Sequence, residues 1–453
     1  MKYFSMFSGI GGFEYAIHNT TERDTPTGET DPAGDLSLPK GRDKEGRHGA
    51  ACVGFSEIDK YAIAIYQHHY PEHKNYGDAT KIDPETIPDF DLLVGGFPCQ
   101  AFSIAGKRGG FEDTRGTLFF DIARILKVKR PRQFVLENVK GLLSHDDGRT
   151  FKTIIAALAE LGYCVEWQVL NSKNFGVPQN RERVFIVGHL GGIRGGQVFP
   201  IEPCYSENNQ GSADIANCLD ANYFKGPSAG FGGKGRTMVG TLRTHKDGEG
   251  FRKIQSGMSP AIPARARQNG RRMKEDGEPA FTCTAQDQHG VFDGARIRRL
   301  TPTECERLQA FPDGWTKFGV FIPENKNGKC AKTEVVAIVT DGKTKSVGFN
   351  WCSSPVQKCP RLEGEGYEKC KSVCKQNAHA EIEALNNFKG DRSKATLYIH
   401  GHHRICEECK KAAGDIPVVF GLPPEEISDS QRYKTLGNSV TTSVISAIME
   451  KLI

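Results

Sequence analysis

The sequence predicts an α/β fold built on an open, mostly parallel sheet covered on both faces. Short apolar runs alternate with amphipathic stretches between Lys2 and Val187, a Gly-rich turn (Ser8 to Gly12) joins the first run to the first helix, and no run of about 18 apolar residues occurs. With 453 residues the chain exceeds what one core supports, so two or three domains are expected. A net charge of +5 over that length is too small to name a nucleic-acid partner, and local charge has to decide. Glycines interrupt the apolar N-terminus and no small-residue cleavage site follows, so a soluble, cytoplasmic protein with no membrane association is expected.

Taken in order, Tyr3 to Phe7 reads as a strand and a helix starts at Phe13. Asn19 to Gly49 holds three Pro and charges of both signs, which mark a surface loop between strand units; no role is assignable to it. Alternation resumes with a strand at Ala51 to Ser56, a helix at Lys60 to His69, a strand at Asp91 to Gly95, a helix at Leu118 to Leu126 and a strand at Gln133 to Glu137. A helix at Phe151 to Leu161 and strands at Val165 to Leu170 and Val184 to Val187 close the series.

Beyond His189 the texture turns to Gly, Ser, Asn and Arg. Lys225 to Lys274 carries 12 Lys/Arg against 2 acidic residues, the pattern of a phosphate-facing surface or, alternatively, of a solvated loop face. Leu300 to Gln309 returns to a helical pattern, with Thr301 and Pro302 as cap and first-turn pair. Seven of the 14 cysteines fall between Cys330 and Cys409, which sets Val320 to Gly421 apart as a module and favours metal or thiolate chemistry over disulfides. In the closing segment Val440, Val444, Ile448 and Leu452 line one helical face that must pack on something.

Three features in chain order describe a nucleoside cofactor pocket. Phe7-Ser8-Gly9-Ile10-Gly11-Gly12 lets the backbone approach a ligand at a helix N-terminus, Glu57 at the end of the next strand suits ribose hydroxyls, and Asp78 suits an adenine amine. A phosphate reading is weaker, because no P-loop Lys follows the glycines. A second set is Gly95-Gly96-Phe97-Pro98-Cys99-Gln100, Glu137-Asn138-Val139 and Gln179-Asn180-Arg181-Glu182-Arg183, which would bring a thiolate, a carboxyl and two guanidinium groups to one crevice.

Together with Arg299-Leu300-Thr301-Pro302-Thr303-Glu304-Cys305 and Gly437-Asn438-Ser439-Val440, these blocks resemble the DNA cytosine-5 methyltransferases over residues 1–318 and 422–453. The resemblance implies a Rossmann-like methyltransferase sheet (1–190 with 422–453), a small basic target-recognition domain (191–319) and S-adenosylmethionine as cofactor. Its contacts would be Phe7, Gly9, Gly11, Glu57, Ile58, Asp78, Pro98, Leu118 and Asn438. Cytosine C5 is too weak a nucleophile to take a methyl group unaided. Cys99 would therefore add at C6, Glu137 would serve N3, Arg183 would hold the base and Arg181 would support them. The target base must leave the duplex, with the loop Ala101 to Arg115 closing over the DNA. The partner the resemblance implies is double-stranded DNA, bound by a monomer. Neither the sequence read by the basic stretch nor a partner restriction enzyme, which would make the protein a modification component, is legible.

The departure from that family is the block 320–421. His379-Ala380-Glu381 opens a helix, Ala395 to His400 reads as a strand, and Cys406-Glu407-Glu408-Cys409 begins another helix; a strand at Val335 to Val339 and a turn at Gly348-Phe349-Asn350 precede them, and Val418 to Gly421 follows. This order is similar to the cytidine and deoxycytidylate deaminases, an inserted α/β zinc domain. The resemblance implies zinc on His379, Cys406 and Cys409 and a proton-shuttling Glu381, with dCMP or single-stranded DNA as substrate. Ile405 stands where that family has Pro. A module that binds without turnover is the alternative, as is a chain whose methyltransferase core is inactive. Cys352, Cys359, Cys370 and Cys374 either form a second zinc site or are separate reduced thiols. His400, His402 and His403 read as loop histidines.

Overall fold

A computed structural model describes residues 1–23, 49–98, 118–192, 197–202, 242–243, 289–292, 297–323, 335–352, 376–401 and 403–453. Cys99, Gln100, the 101–115 loop, almost all of Lys225 to Lys274, and Cys359, Cys370, Cys374 and His402 lie outside them. The chain forms two compact units, Met1–Lys317 with Ile427–Ile453, and Phe318–Glu426.

The first unit is built on β1 (Lys2–Met6), α1 (Gly12–Arg23), β2 (Ala51–Ser56), α2 (Lys60–His69), β3 (Leu92–Gly96), α3 (Leu118–Lys129), β4 (Gln133–Val139), α4 (Arg149–Glu160), β5 (Tyr163–Asn171) and β6 (Glu182–Leu190). The strand order is β2-β1-β3-β4-β6-β5. The β1–β2, β1–β3 and β3–β4 pairs are parallel, whereas β6 runs antiparallel to β4 and β5. The expected mostly parallel sheet is therefore present, with one reversed strand, β6, between β4 and the edge strand β5.

Alternation along each strand divides the core. Phe4, Leu93, Phe134, Leu136 and Ile186 face α3 and α4, which bring Phe119, Ile122, Leu126, Ile154 and Leu158. Tyr3, Leu92, Val94, Val135 and Val187 face the other way, toward Phe13, Ala16 and Ile17 of α1. Antiparallel strand pieces β7 (Leu242–Arg243), β8 (His289–Phe292) and β9 (Ile297–Arg299) precede α5 (Pro302–Leu308). In α5 the expected cap is present: Thr301 Oγ1 accepts the Glu304 N–H at 3.2 Å, with Pro302 in the first turn.

The second unit holds β10 (Phe318–Gly319), β11 (Val336–Thr340), β12 (Lys345–Phe349), β13 (Trp351–Cys352), β14 (Gln376–Ala378), α6 (Ala380–Asn387), β15 (Thr396–His400), α7 (Glu407–Ala413), β16 (Val418–Phe420) and β17 (Glu425–Glu426). Its main sheet has the order β12-β11-β15-β16, with β15 and β16 parallel. Ala337, Val339, Leu397 and Ile399 pack against Ala380, Ala384 and Leu385 of α6. The expected turn at Gly348 is instead strand: Gly348 pairs with Ala337, and a Cβ there would meet Ala380 O at 2.0 Å. This glycine admits a helix, not a bend.

The chain then returns to the first unit through α8 (Asp429–Gly437) and α9 (Thr442–Leu452). On α9, Val444, Ile445, Ile448 and Met449 are buried beside the apolar face of α1, and Val440 and Leu452 pack at the margin. Each such side chain contributes roughly 1.5–3 kcal/mol of burial.

Three domain boundaries move. Leu422 packs on Val336 and Ile338, so the insert extends to Glu426 rather than stopping at 421. Val198, Phe199 and Ile201 join the α1-side core, and Glu166 of β5 accepts the Val198 and Phe199 N–H groups at 3.0 Å, so 197–202 packs with the six-stranded sheet. Phe311 and Trp315 pack on Tyr15, and the Thr442 N–H donates to Gln309 O at 3.0 Å, which removes α5 and its following turn from the expected target-recognition domain. Among the described residues no helix is long and apolar enough to cross a membrane.

Candidate active site

The loop after β1 is where backbone and ligand chemistry meet. Phe7, Gly9 and Gly11 all take positive φ (54°, 56° and 86°), a conformation that costs a non-Gly residue such as Phe7 about 1 kcal/mol or more. The three glycines divide their work. Among the described residues nothing lies within 4 Å of a Cβ built on Gly9, whereas one on Gly11 would meet Tyr70 at 2.9 Å and one on Gly12 would meet Val440 Cγ2 at 2.7 Å. Gly9 therefore faces open space, and the other two make room for packing.

Glu57, at the end of β2, faces this loop. Its Oε2 accepts the Gly9 N–H at 2.9 Å and its Oε1 accepts the Ile58 and Asp59 N–H groups at 2.7 and 2.9 Å. Asn75, which sequence reasoning missed, fixes the Glu57 backbone from both sides: its Oδ1 accepts Glu57 N–H at 3.3 Å and its Nδ2 donates to Glu57 O at 3.2 Å. Ile58 is 73% exposed beside it. Open backbone at Gly9, a carboxylate in a fixed pose and an uncovered apolar side chain fit a nucleoside-bearing cofactor.

Asp78 is half-buried and occupied locally. Its Oδ1 accepts from Thr80 N and Oγ1 at 3.0 and 2.8 Å, and its Oδ2 lies 3.1 Å from Lys81 Nζ. The Thr80 hydrogen bonds and Lys81 hold this carboxyl below its usual value. It caps a one-turn helix, Ala79–Lys81, which leaves its other lone pairs for a ligand. Leu118 is half-buried at the start of α3, and Pro98 and Asn438 are exposed.

The second group gathers at the carboxyl ends of β3 and β4. Arg183 Nε lies 2.9 Å from Glu137 Oε1, with both side chains largely buried. Register explains the pairing: Val139 faces Arg183 and Glu137 faces Phe185 across the antiparallel β4–β6 ladder. Gly96 supplies space, since a Cβ there would come to 3.2 Å from Glu137 Oε2. Asn138, also unassigned by sequence reasoning, donates through Nδ2 to Phe97 O at 2.9 Å, and so holds the segment leading to Pro98.

Arg181 takes another direction. It is buried, and its guanidinium donates to Ser439 O at 2.5 Å. With Gln179 Nε2 donating to Leu308 O at 3.2 Å, it ties the loop before β6 to α5 and to the segment before α9. Of the two guanidinium groups expected at this crevice, Arg183 forms the ion pair with Glu137, while Arg181, expected in a supporting role, donates to Ser439 O.

In the second unit His379 Nδ1 lies 3.1 Å from Cys409 Sγ and 3.2 Å from Cys406 Sγ, and the three ligand atoms fall within 4.8 Å of one another. One imidazole and two thiols at such spacing are a soft donor set suited to zinc. Burial, then neighbouring Cys406 and Glu381, push the Cys409 thiol up, an effect a bound cation reverses. Glu381, in the first turn of α6, is 3% exposed. Ile405 packs against the insert core, and Cys406 caps α7, its Sγ accepting the Cys409 N–H.

A family model described as C-5 cytosine-specific DNA methylase matches residues 1–325, ending ahead of β11. The chain is similar to the orphan methyltransferase M.SPRI of Bacillus phage SPR, at 36% identity covering 69% of this chain and 89% of that protein. It is similar to the type II methyltransferases M.HpaII of Haemophilus parainfluenzae (37% identity, 69% of this chain and 80% of that one) and M1.ScrFI of Lactococcus lactis subsp. cremoris (36%, 69% and 70%). With a family model covering well over half of its length and relatives above 30% identity, this chain belongs to the C-5 cytosine-specific DNA methylases.

Proposed function

We propose that the first unit methylates C5 of a cytosine flipped out of duplex DNA, by way of a covalent bond between Cys99 Sγ and C6 of the ring. The observation that carries this reading is the Arg183–Glu137 ion pair, 2.9 Å long, between β4 and β6, with Glu137 beside Gly96 at the end of β3, from which the sequence continues to Pro98 and Cys99. S-Adenosylmethionine, when bound at Gly9, Glu57 and Ile58, supplies an electrophilic methyl group. The chain's residues prepare the acceptor. The Cys99 thiolate adds to C6 and leaves an enamine nucleophilic at C5, Glu137 holds a proton at N3 against the charge so created, and Arg183 fixes the Glu137 carboxylate and the base. Once C5 carries the methyl group, solvent water takes the C5 proton, the electrons of that C–H bond re-form the C5–C6 double bond, Cys99 Sγ leaves C6 as a thiolate, and the N3 proton returns to Glu137. The basic Lys225 to Lys274 stretch would track phosphates and read base edges. Relatives named as type II methyltransferases favour a role in protecting DNA from a partner nuclease. The test is transfer of labelled methyl from S-adenosylmethionine to mixed-sequence duplex, lost in Cys99→Ala, with a 5-fluorocytosine duplex becoming covalently attached to the wild-type chain. Absence of the adduct at the preferred site would sink this mechanism.

The His379–Cys406–Cys409 cluster supports a second reading for the insert, that it is a zinc-dependent deaminase of dCMP or of cytosine in single-stranded DNA. Zinc, when bound, supplies a Lewis acid that activates water, and buried Glu381 moves protons between that water and the base. Ammonia release by the wild type and not by Glu381→Ala is expected. Zinc without ammonia from either substrate would leave a binding module, and no bound zinc would end the reading.

A further inference from the structure

Trp315 lies beyond α5, 305 residues from Ile10 in sequence, yet its indole Nε1–H donates to Ile10 O at 2.9 Å. Both residues are almost fully buried, at 3% and 1% exposure. The indole is itself held: His69 stacks on it with ring centroids 3.6 Å apart and planes 10° apart, and His69 Nε2 lies 2.7 Å from Trp315 O. Burial pushes His69 down to about 4, so the ring is neutral at pH 7 and the nitrogen facing the carbonyl carries the proton. The backbone around Trp315 is fastened too, since Glu306 accepts the Gly314 and Thr316 N–H groups at 2.7 and 2.8 Å.

Ile10 sits between Gly9 and Gly11, two positions at which backbone rotation is cheap. Within the loop, Ser8 N–H donates to Ser56 O at 3.2 Å, Gly9 N–H to Glu57 at 2.9 Å and Gly11 N–H to Ser8 O at 3.1 Å. These bonds hold N–H groups on either side of Ile10. Its carbonyl is held by the indole. We propose that Trp315 is a positioning residue for the cofactor site: it fixes the peptide plane between the two hinges, and thereby the open Gly9 backbone, from the part of the chain that follows the target-recognition region. Cofactor affinity then depends on a segment that touches no cofactor. The proposal rests on the reading of the Gly-rich loop as the S-adenosylmethionine site.

Trp315→Phe keeps an aromatic ring against Tyr15 and His69 but removes the donor and leaves a buried carbonyl unmet. In the full chain it should weaken S-adenosylmethionine binding about tenfold, as one lost buried hydrogen bond allows. Turnover at saturating cofactor and the KM for DNA should stay near wild type, and the amides of residues 9–12 should exchange faster with solvent. His69→Leu, which removes the stacking and the bond to Trp315 O from the outer side, should move the same quantities in the same direction by less. Unchanged cofactor affinity in a folded Trp315→Phe chain, or unchanged exchange at residues 9–12, would overturn the inference. A wild-type chain that binds no S-adenosylmethionine fails differently: it overturns the cofactor reading, while exchange at residues 9–12 still decides whether Trp315 holds the loop.

Discussion

Glu137 places its Oε2 where a side chain on residue 96 would begin: a Cβ built on Gly96 lies 3.2 Å from that oxygen. Gly96→Ala therefore displaces Glu137 by a few tenths of an ångström from its 2.9 Å contact with Arg183. Since an error of about 1 Å in a reacting group costs on the order of 100-fold, methyl-transfer turnover should fall about tenfold while S-adenosylmethionine affinity holds. Single-turnover kinetics and equilibrium binding on the same variant would check this. A loss confined to cofactor binding would remove Glu137 from the chemistry.

Glu14 is fully buried in the first turn of α1, where Tyr66 Oη donates to its Oε1 at 3.1 Å. Burial raises its carboxyl to about 7, against smaller lowering contributions from Ser5, its own backbone N–H and Tyr66. The native state thus binds this proton more tightly than the unfolded chain does. The associated stability is fully present below about 4.5, where an exposed glutamate titrates, and is lost as pH rises through about 7. Glu14→Gln should abolish that component and gain on the order of 1–3 kcal/mol relative to wild type at pH 8, with little difference at pH 5. Urea midpoints at the two pH values would measure it.

Ile427 N–H donates to Lys317 O at 2.9 Å, so the first unit leaves and resumes its path at adjacent backbone positions. Beside them Arg432 lies 3.1 Å from fully buried Glu306. Replacing Phe318–Glu426 by a short Gly/Ser linker should therefore leave methyl transfer within about threefold of the full chain, because closing a short loop is entropically cheap. Any bound zinc should vanish with the segment. Loss of methyl transfer from a folded deletion variant would show that the insert serves that reaction.

For the metal cluster, Cys409→Ser should remove most bound zinc and lower the unfolding temperature of the insert, with the first unit melting as before. Glu381→Ala should retain the metal. Elemental analysis with calorimetry on the full chain would separate the two, and equal zinc in wild type and Cys409→Ser would exclude Cys409 as a ligand.

Much of this architecture was legible in the residues because local patterning and tertiary burial agree. Strands such as Gln133–Val139 and the helix Thr442–Leu452 follow from apolar spacing alone, and the Thr301-Pro302 cap follows from residue type. What escaped depends on distance in space. Sequence gives no sign that Gly9 faces open space while Gly12 lies under Val440, that Asn75 and Asn138 are clamps, or that Arg181 turns to Ser439 while Arg183 reaches Glu137. Leu422 likewise looked like part of the returning chain, and only its burial against Val336 and Ile338 moves it into the insert.

The pairing of α9 with α1 also bears on biosynthesis. Phe13, Ala16 and Ile17 leave the ribosome well before Val444, Ile445, Ile448 and Met449, which lie beside them. Until α9 has been made, the growing polypeptide must keep that oily stripe of α1 without its final cover.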